Sequence, residues 1–167
     1  MMAPSFRSAH VTASPARHSR NEGFTLIELM TTVAIVGLLT TAAVPQFAGL
    51  IASKRSKAAA TDLYLSLIQA RSEAITRNEK VTLAPSGDNW QSGWRILDAN
   101  NAVIDAHAAV GGITITSSLN TLVFQSSGRP QGTTTPTFLV AATNQASAPS
   151  CVSTSLSGRP YAKAAPC

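Results

Sequence analysis

The chain has 167 residues, 44% of them apolar, 13% charged and 5% aromatic. That supplies one domain with a real core, and it excludes a disordered chain rich in charge and poor in apolar residues. Net charge is +5, but Arg7, Arg17 and Arg20 all precede Gly23, and the remainder carries only +3, a surplus that permits anion binding without demanding it.

Residues 1–22 hold Pro4, Pro15 and several Ser and Arg without apolar periodicity. They read as an unstructured basic leader retained in the cytoplasm. From Phe24 to Ala43 the chain is mostly apolar, and about 20 such residues are enough to cross a bilayer as a helix. Basic residues on the N-terminal side put that end in the cytoplasm and everything after it in the periplasm or exterior. An ordinary signal peptide, cut near "TTAAVP", would make the rest a secreted soluble protein. The length of the apolar run argues against it, and so does Glu28 inside the run. A central charge costs about 2.5–3.5 kcal/mol in the bilayer, so it asks for a partner.

Pro45 and Gly49 follow the apolar run and are expected to kink the helix without ending it. Helical periodicity resumes in "AATDLYLSLIQARSEAITRNEK", giving one helix from Phe24 to about Arg77. At 100° per residue Ala60, Thr61, Tyr64, Leu65, Leu67, Ile68, Ser72 and Ile75 form the apolar side. Leu63 misses that arc, and Arg71, inside it, is expected to snorkel. The segments are then 24–44, a transmembrane helix; 45–78, its amphipathic continuation; and 79–167, a β domain. In the last, "KVTLA", "WRIL", "AVIDA", "ITIT", "TLVFQ", "TFLVAAT" and "CVSTSL" read as short strands separated by Gly, Pro and Asn turns. The expected fold class is α+β: a long N-terminal helix packed on a small antiparallel sheet or sandwich, which is marginal without such a lid.

Cys151 and Cys167 are the two cysteines. With export implied upstream, a disulfide is favoured over free thiols, and closing a loop of about 15 residues is worth about 3 kcal/mol on the chain-entropy model. No metal, cofactor or enzyme constellation is expected. His107 has no metal-spaced neighbours, Asp88, Asp98 and Asp105 sit among turn residues, and "VGGITIT" lacks the Lys and helix of a phosphate cradle.

The stretch "GFTLIELMTTVAIVGLLTTAAVPQF" resembles the class III signal of type IV prepilins and pseudopilins. Gly23 matches the residue before the cut, Phe24 the new N-terminus, Glu28 the fifth mature residue and Pro45 the kinking proline. The resemblance implies cleavage of the leader 1–23 by a membrane-embedded aspartyl prepilin peptidase, then N-methylation of Phe24. It also implies that Glu28, one helical turn on, neutralises that amine or the amine of a neighbouring pilin as subunits assemble. The plainer alternative is that Glu28 snorkels to the headgroups.

Further along, "TLVFQSSGRPQG" followed by "TFLVAAT" resembles the GspH/FimT group of minor pilins and pseudopilins. The resemblance implies a subunit at the tip of a type IV pilus or type II secretion pseudopilus, held in the inner membrane by a single pass with its C-terminal domain in the periplasm. Gly128 and Pro130 account for a turn by themselves; Arg129 beside them is a lesser candidate contact for DNA. The second copy, "LSGRPYAKAAPC", resembles the Gly-Arg-x-Arg tail of the minor pilins that take up DNA. It implies Arg159 as a DNA contact. Tyr161 stands where the second Arg belongs, with Lys163 and a stacking Tyr161 as partial substitutes in a tethered loop.

Overall fold

The computed structural model of the chain describes residues 23–143 and 148–167, with positions 42–46 as backbone alone. The expected leader, 1–22, lies outside the described residues. The chain divides into two units between Leu39 and Thr40, and the β domain belongs wholly to the second.

Helix α1 spans Leu26–Arg77. Thr25 caps its start, its Oγ1 accepting from the Glu28 backbone N–H at 3.3 Å while its carbonyl accepts from Leu29, one of the donors that a helix start leaves unpaired. Asn78 ends it in the left-handed region (φ 53°). There the Glu79 N–H donates to the Ala74 carbonyl and the Asn78 N–H to that of Ile75, the Schellman arrangement. In the last turn Arg77 donates to Glu73 at 2.6 Å, and that hydrogen bond raises its already high pKa. Among the described residues no helix is long and apolar enough to cross a membrane; the expected span, 24–44, runs into positions described by backbone alone.

Eight strands follow: β1 (Val81–Pro85), β2 (Trp94–Leu97), β3 (Val103–His107), β4 (Ile113–Ser117), β5 (Leu122–Phe124), β6 (Thr137–Ala142), β7 (Ser150–Thr154) and β8 (Pro160–Lys163). They form two antiparallel four-stranded sheets, ordered β3-β2-β1-β5 and β4-β6-β7-β8. The architecture is α+β. Strand alternation puts Val81, Leu83, Trp94, Ile96, Leu122 and Phe124 of the first sheet and Ile113, Ile115, Phe138, Val140 and Val152 of the second into one core.

The helix face in that core differs from the expected one. Leu63, left out of the apolar arc, is fully buried, with Ser56, Ala59, Ala60, Leu67, Ala70 and Ala74, whereas Leu65, Ile68 and Ile75 are exposed. The stripe is built from alanines around two leucines, and small side chains let the helix backbone lie close to the sheets. Burial is therefore not set by apolar bulk alone: Leu65, Ile68 and Ile75 fall outside the stripe while Leu63 and Leu67 lie inside it. Ser66 sits in the same stripe and accepts the Trp94 indole N–H at 2.8 Å, which satisfies both buried polar groups. Arg71 does not snorkel clear: it is half-buried against the Gly128 turn, where its Nε finds no acceptor.

Candidate functional site

The two Gly-Arg-Pro copies form the same turn twice. In the first, after β5, the Gly128 N–H donates to the Gln125 carbonyl at 2.8 Å and the Gln125 N–H to that of Arg129 at 2.9 Å. In the second, after β7, Gly158 and Ser155 repeat both bonds with Ser155 and Arg159 at the same lengths. Each glycine has a positive φ, 73° at Gly128 and 81° at Gly158, where a side chain is strained. Gly and Pro are buried in both turns and the Arg between them is exposed. The turns sit back to back: a Cβ on Gly158 would overlap the Gly128 carbonyl oxygen and lie 3.3 Å from the Arg129 Cα.

Arg129 crosses this joint. Its Nε–H donates to the Leu156 carbonyl at 3.2 Å, so the first turn's arginine braces the second turn. As a candidate DNA contact it stands apart from the others, lining a separate depression with Gln125, Pro130 and Leu156.

The tail after the second turn is a strand, not a tethered loop. β8 pairs antiparallel with β7, with Tyr161 opposite Ser153 and Lys163 opposite Cys151. Strand alternation puts Tyr161 and Lys163 on one side, and both are exposed, as is Arg159 just before the strand. A disulfide joins Cys151 to Cys167 across a Cα–Cα distance of 5.1 Å, fastening the end of the chain to β7. Beside β8 runs α1. Tyr64 lines one shallow depression with Arg159 and Tyr161, and Lys57 lines the next with Lys163. Sequence reasoning missed Lys57 and Tyr64. Their spacing of seven does place them on one side of α1, but nothing in the sequence marked β8 as the strand beside them.

At the helix start, Phe24 and Glu28 are both exposed, with Gly23 just outside α1. Elsewhere, His107 stacks on Trp94 (centroids 4.0 Å apart, planes 3° apart) and reaches Asp62 of α1 at 3.3 Å. It is a structural bridge between β3 and the helix. Among the described residues no three His, Cys, Asp or Glu side chains gather as a metal site.

The family model described as type II transport protein GspH matches residues 59–158, more than half of the chain. The chain belongs to the GspH family. A second model, the prokaryotic N-terminal methylation motif, matches residues 18–44, the stretch that holds Gly23, Phe24 and Glu28. No curated protein matches.

Among solved structures, the type IV minor pilin FimU of Pseudomonas aeruginosa matches with a TM-score of 0.58 and 24% identity, over 64% of this chain and 91% of that one. The minor pseudopilin EpsH from the Type 2 Secretion System of Vibrio cholerae matches with a TM-score of 0.53 and 17% identity, over 65% and 96%. These likenesses show the GspH-family fold and, at such identities, nothing finer. The family match stops at Gly158, so the exposed Arg159, Tyr161 and Lys163 lie beyond it.

Proposed function

We propose that this GspH-family chain is a non-enzymatic minor subunit of a type IV pilus or a type II secretion pseudopilus. Held in the inner membrane by 24–44, with its β domain in the periplasm, it is cut by a prepilin peptidase after Gly23 and N-methylated on Phe24. It then joins other pilins through α1. The observation that carries this reading is the methylation motif at the start of a helix whose apolar side chains are uncovered. Phe24, Leu26, Ile27, Met30 and Val33 are all more than 60% exposed, and burial against neighbouring helices is the natural use of such a surface.

Glu28 has two uses there. A carboxylate in the first turn suits the helix dipole, and one turn from a new amine it also forms an ion pair that lowers the cost of both charges away from water. Glu28→Gln separates the two roles, because it retains the Thr25 cap and removes the charge. The variant is expected to fold and be processed normally but to enter filaments at least ten-fold less often; wild-type incorporation overturns the pairing. N-terminal sequencing tests the frame as a whole. N-methyl-Phe24 supports it, and a start near Val44 makes the chain an ordinary secreted protein.

A second reading, DNA binding for uptake, is favoured by Arg159, Tyr161 and Lys163 standing exposed on one side of an edge strand with Tyr64 alongside. Arginine and lysine supply phosphate contacts and tyrosines supply stacking surfaces. Salt-sensitive retardation of duplex DNA, weakened by Arg159→Gln, is the expected result. No retardation at low salt removes the reading.

A further inference from the structure

Helix α1 carries a second surface that the filament reading does not use. Phe47, Leu50, Ile51, Lys54, Arg55 and Lys57 fall within about 160° of its circumference at 100° per residue, opposite buried Ser56, Ala59 and Leu63. All six are exposed, Phe47 by 66% and Leu50 by 53%. Nearly three helical turns thus pass from apolar to basic on one outward side.

The β domain adds to the basic half. The strand register puts Ile113 opposite Ala142, Val140 opposite Ser150 and Cys151 opposite Lys163, so all four strands of the second sheet end together at one rim. That rim meets the basic helix turns: the Arg55 Nη1 lies 3.6 Å from where a Cβ on Gly112 would stand, and Lys57 and Lys163 line one depression with Ser150. Among the described residues none of these four cations has a carboxylate partner within 4 Å. Acids are sparse around them: none occurs in 47–61 or after Asp105, and Asp62, the next acid along the helix, is engaged with His107 at 3.3 Å.

We propose that this rim rests on an anionic phospholipid surface while the subunit awaits assembly, with Phe47, Leu50 and Ile51 in the headgroup boundary and Lys54, Arg55, Lys57 and Lys163 on lipid phosphates. The combination selects the partner. A nucleic acid would use the four charges but offers nothing to Leu50 and Ile51, whereas a bilayer surface uses both halves. The inference rests on the membrane-held reading above. It goes beyond that reading by giving the β domain a resting position and by predicting release when the local charge is screened.

The test uses the full chain with vesicles of phosphatidylcholine alone or with 30% phosphatidylglycerol. Flotation reports attachment, and an impermeant amine-acylating reagent with mass spectrometry reports protection of each lysine against Lys80, exposed beyond the far end of α1. In anionic vesicles Lys54, Lys57 and Lys163 are expected to react about five-fold more slowly relative to Lys80, with the difference lost in 0.5 M salt. Equal ratios in the two vesicles overturn the proposal while leaving the anchor intact, provided the chain floats with both. A chain that floats with neither sinks the membrane-held reading and this proposal together. One that floats only with anionic vesicles and shows the protection sinks the anchor alone. Protection by a short DNA duplex at charge concentrations where anionic vesicles give none also overturns it, assigning the rim to nucleic acid. The double variant K54Q/K57Q should float with neutral vesicles as the wild type does and lose most of the protection at Lys163.

Discussion

Gly158 stands against the carbonyl of Gly128 with no room for a side chain between them. Two turns thirty residues apart in sequence therefore act as one joint, each needing a positive φ that glycine supplies most readily. Gly158→Ala is expected to destabilise the β domain by about 3 kcal/mol, since steric overlap adds to backbone strain. Gly132→Ala is the control. Its φ is also positive (107°), but nothing lies within 4 Å of the added methyl, so only a strain of about 1 kcal/mol is expected. Thermal unfolding followed by tryptophan circular dichroism should separate the two by several degrees.

Arg129 and Arg159 are expected to behave differently although both are exposed at the same position of matching turns. Arg129→Gln removes the Nε–H donated to Leu156 and should lower stability by about 1 kcal/mol. Arg159→Gln removes a side chain with no such bond among the described residues and should leave the melting temperature within about 1 °C. Equal losses in the two variants would show that the brace contributes nothing.

Leu63 and Leu65 test which side of α1 is buried. Leu63→Ala should cost about 3 kcal/mol, as a leucine truncated in a packed core does. Leu65→Ala should cost less than about 0.5 kcal/mol, because its side chain already faces outward. Denaturant midpoints measured at equal slope decide between them, and a larger loss at Leu65 would reverse the assigned face.

Cys151 and Cys167 are 16 residues apart, and opening their bridge should cost about 3 kcal/mol on the chain-entropy estimate. Reduction, or Cys167→Ser, is expected to lower the unfolding midpoint accordingly. It should also speed amide exchange in β8 ahead of the rest of the second sheet. Unchanged exchange at Tyr161 and Ala162 would mean that the ladder to β7 holds the strand unaided.

Much of the fold was legible because local chemistry and tertiary structure agree. The α1 stop at Asn78, the glycine and asparagine turns and strands β1 to β7 all follow from residue types whose backbone preferences the fold retains. β8 was not legible. Proline, alanine and lysine are poor strand formers, and Pro160–Lys163 is extended because β7 offers it a partner at the end of a stapled hairpin. The buried side of α1 is less legible: an arc drawn at 100° per residue takes in Leu65, Ile68 and Ile75 and leaves out Leu63, whereas the buried stripe runs through Leu63 and Leu67 with the small Ala59, Ala70 and Ala74. Both Gly-Arg-Pro copies stood out in the sequence. Their contact did not, since it joins two hairpins that only the folded core brings together, and it gives Arg129 a bracing bond to Leu156 that its place in the motif does not announce.

The Cys151–Cys167 bridge holds the segment after β8 against β7 and so resists separation of that strand pair. The opposite sheet has a softer margin at β3, which shows most of its side chains to water, steps out of register with β2 beside Leu97 and leans on the helix through His107. If the subunit serves where it is tugged or probed by proteases, that outer ribbon is its sacrificial margin, and the stitched side keeps its shape longest.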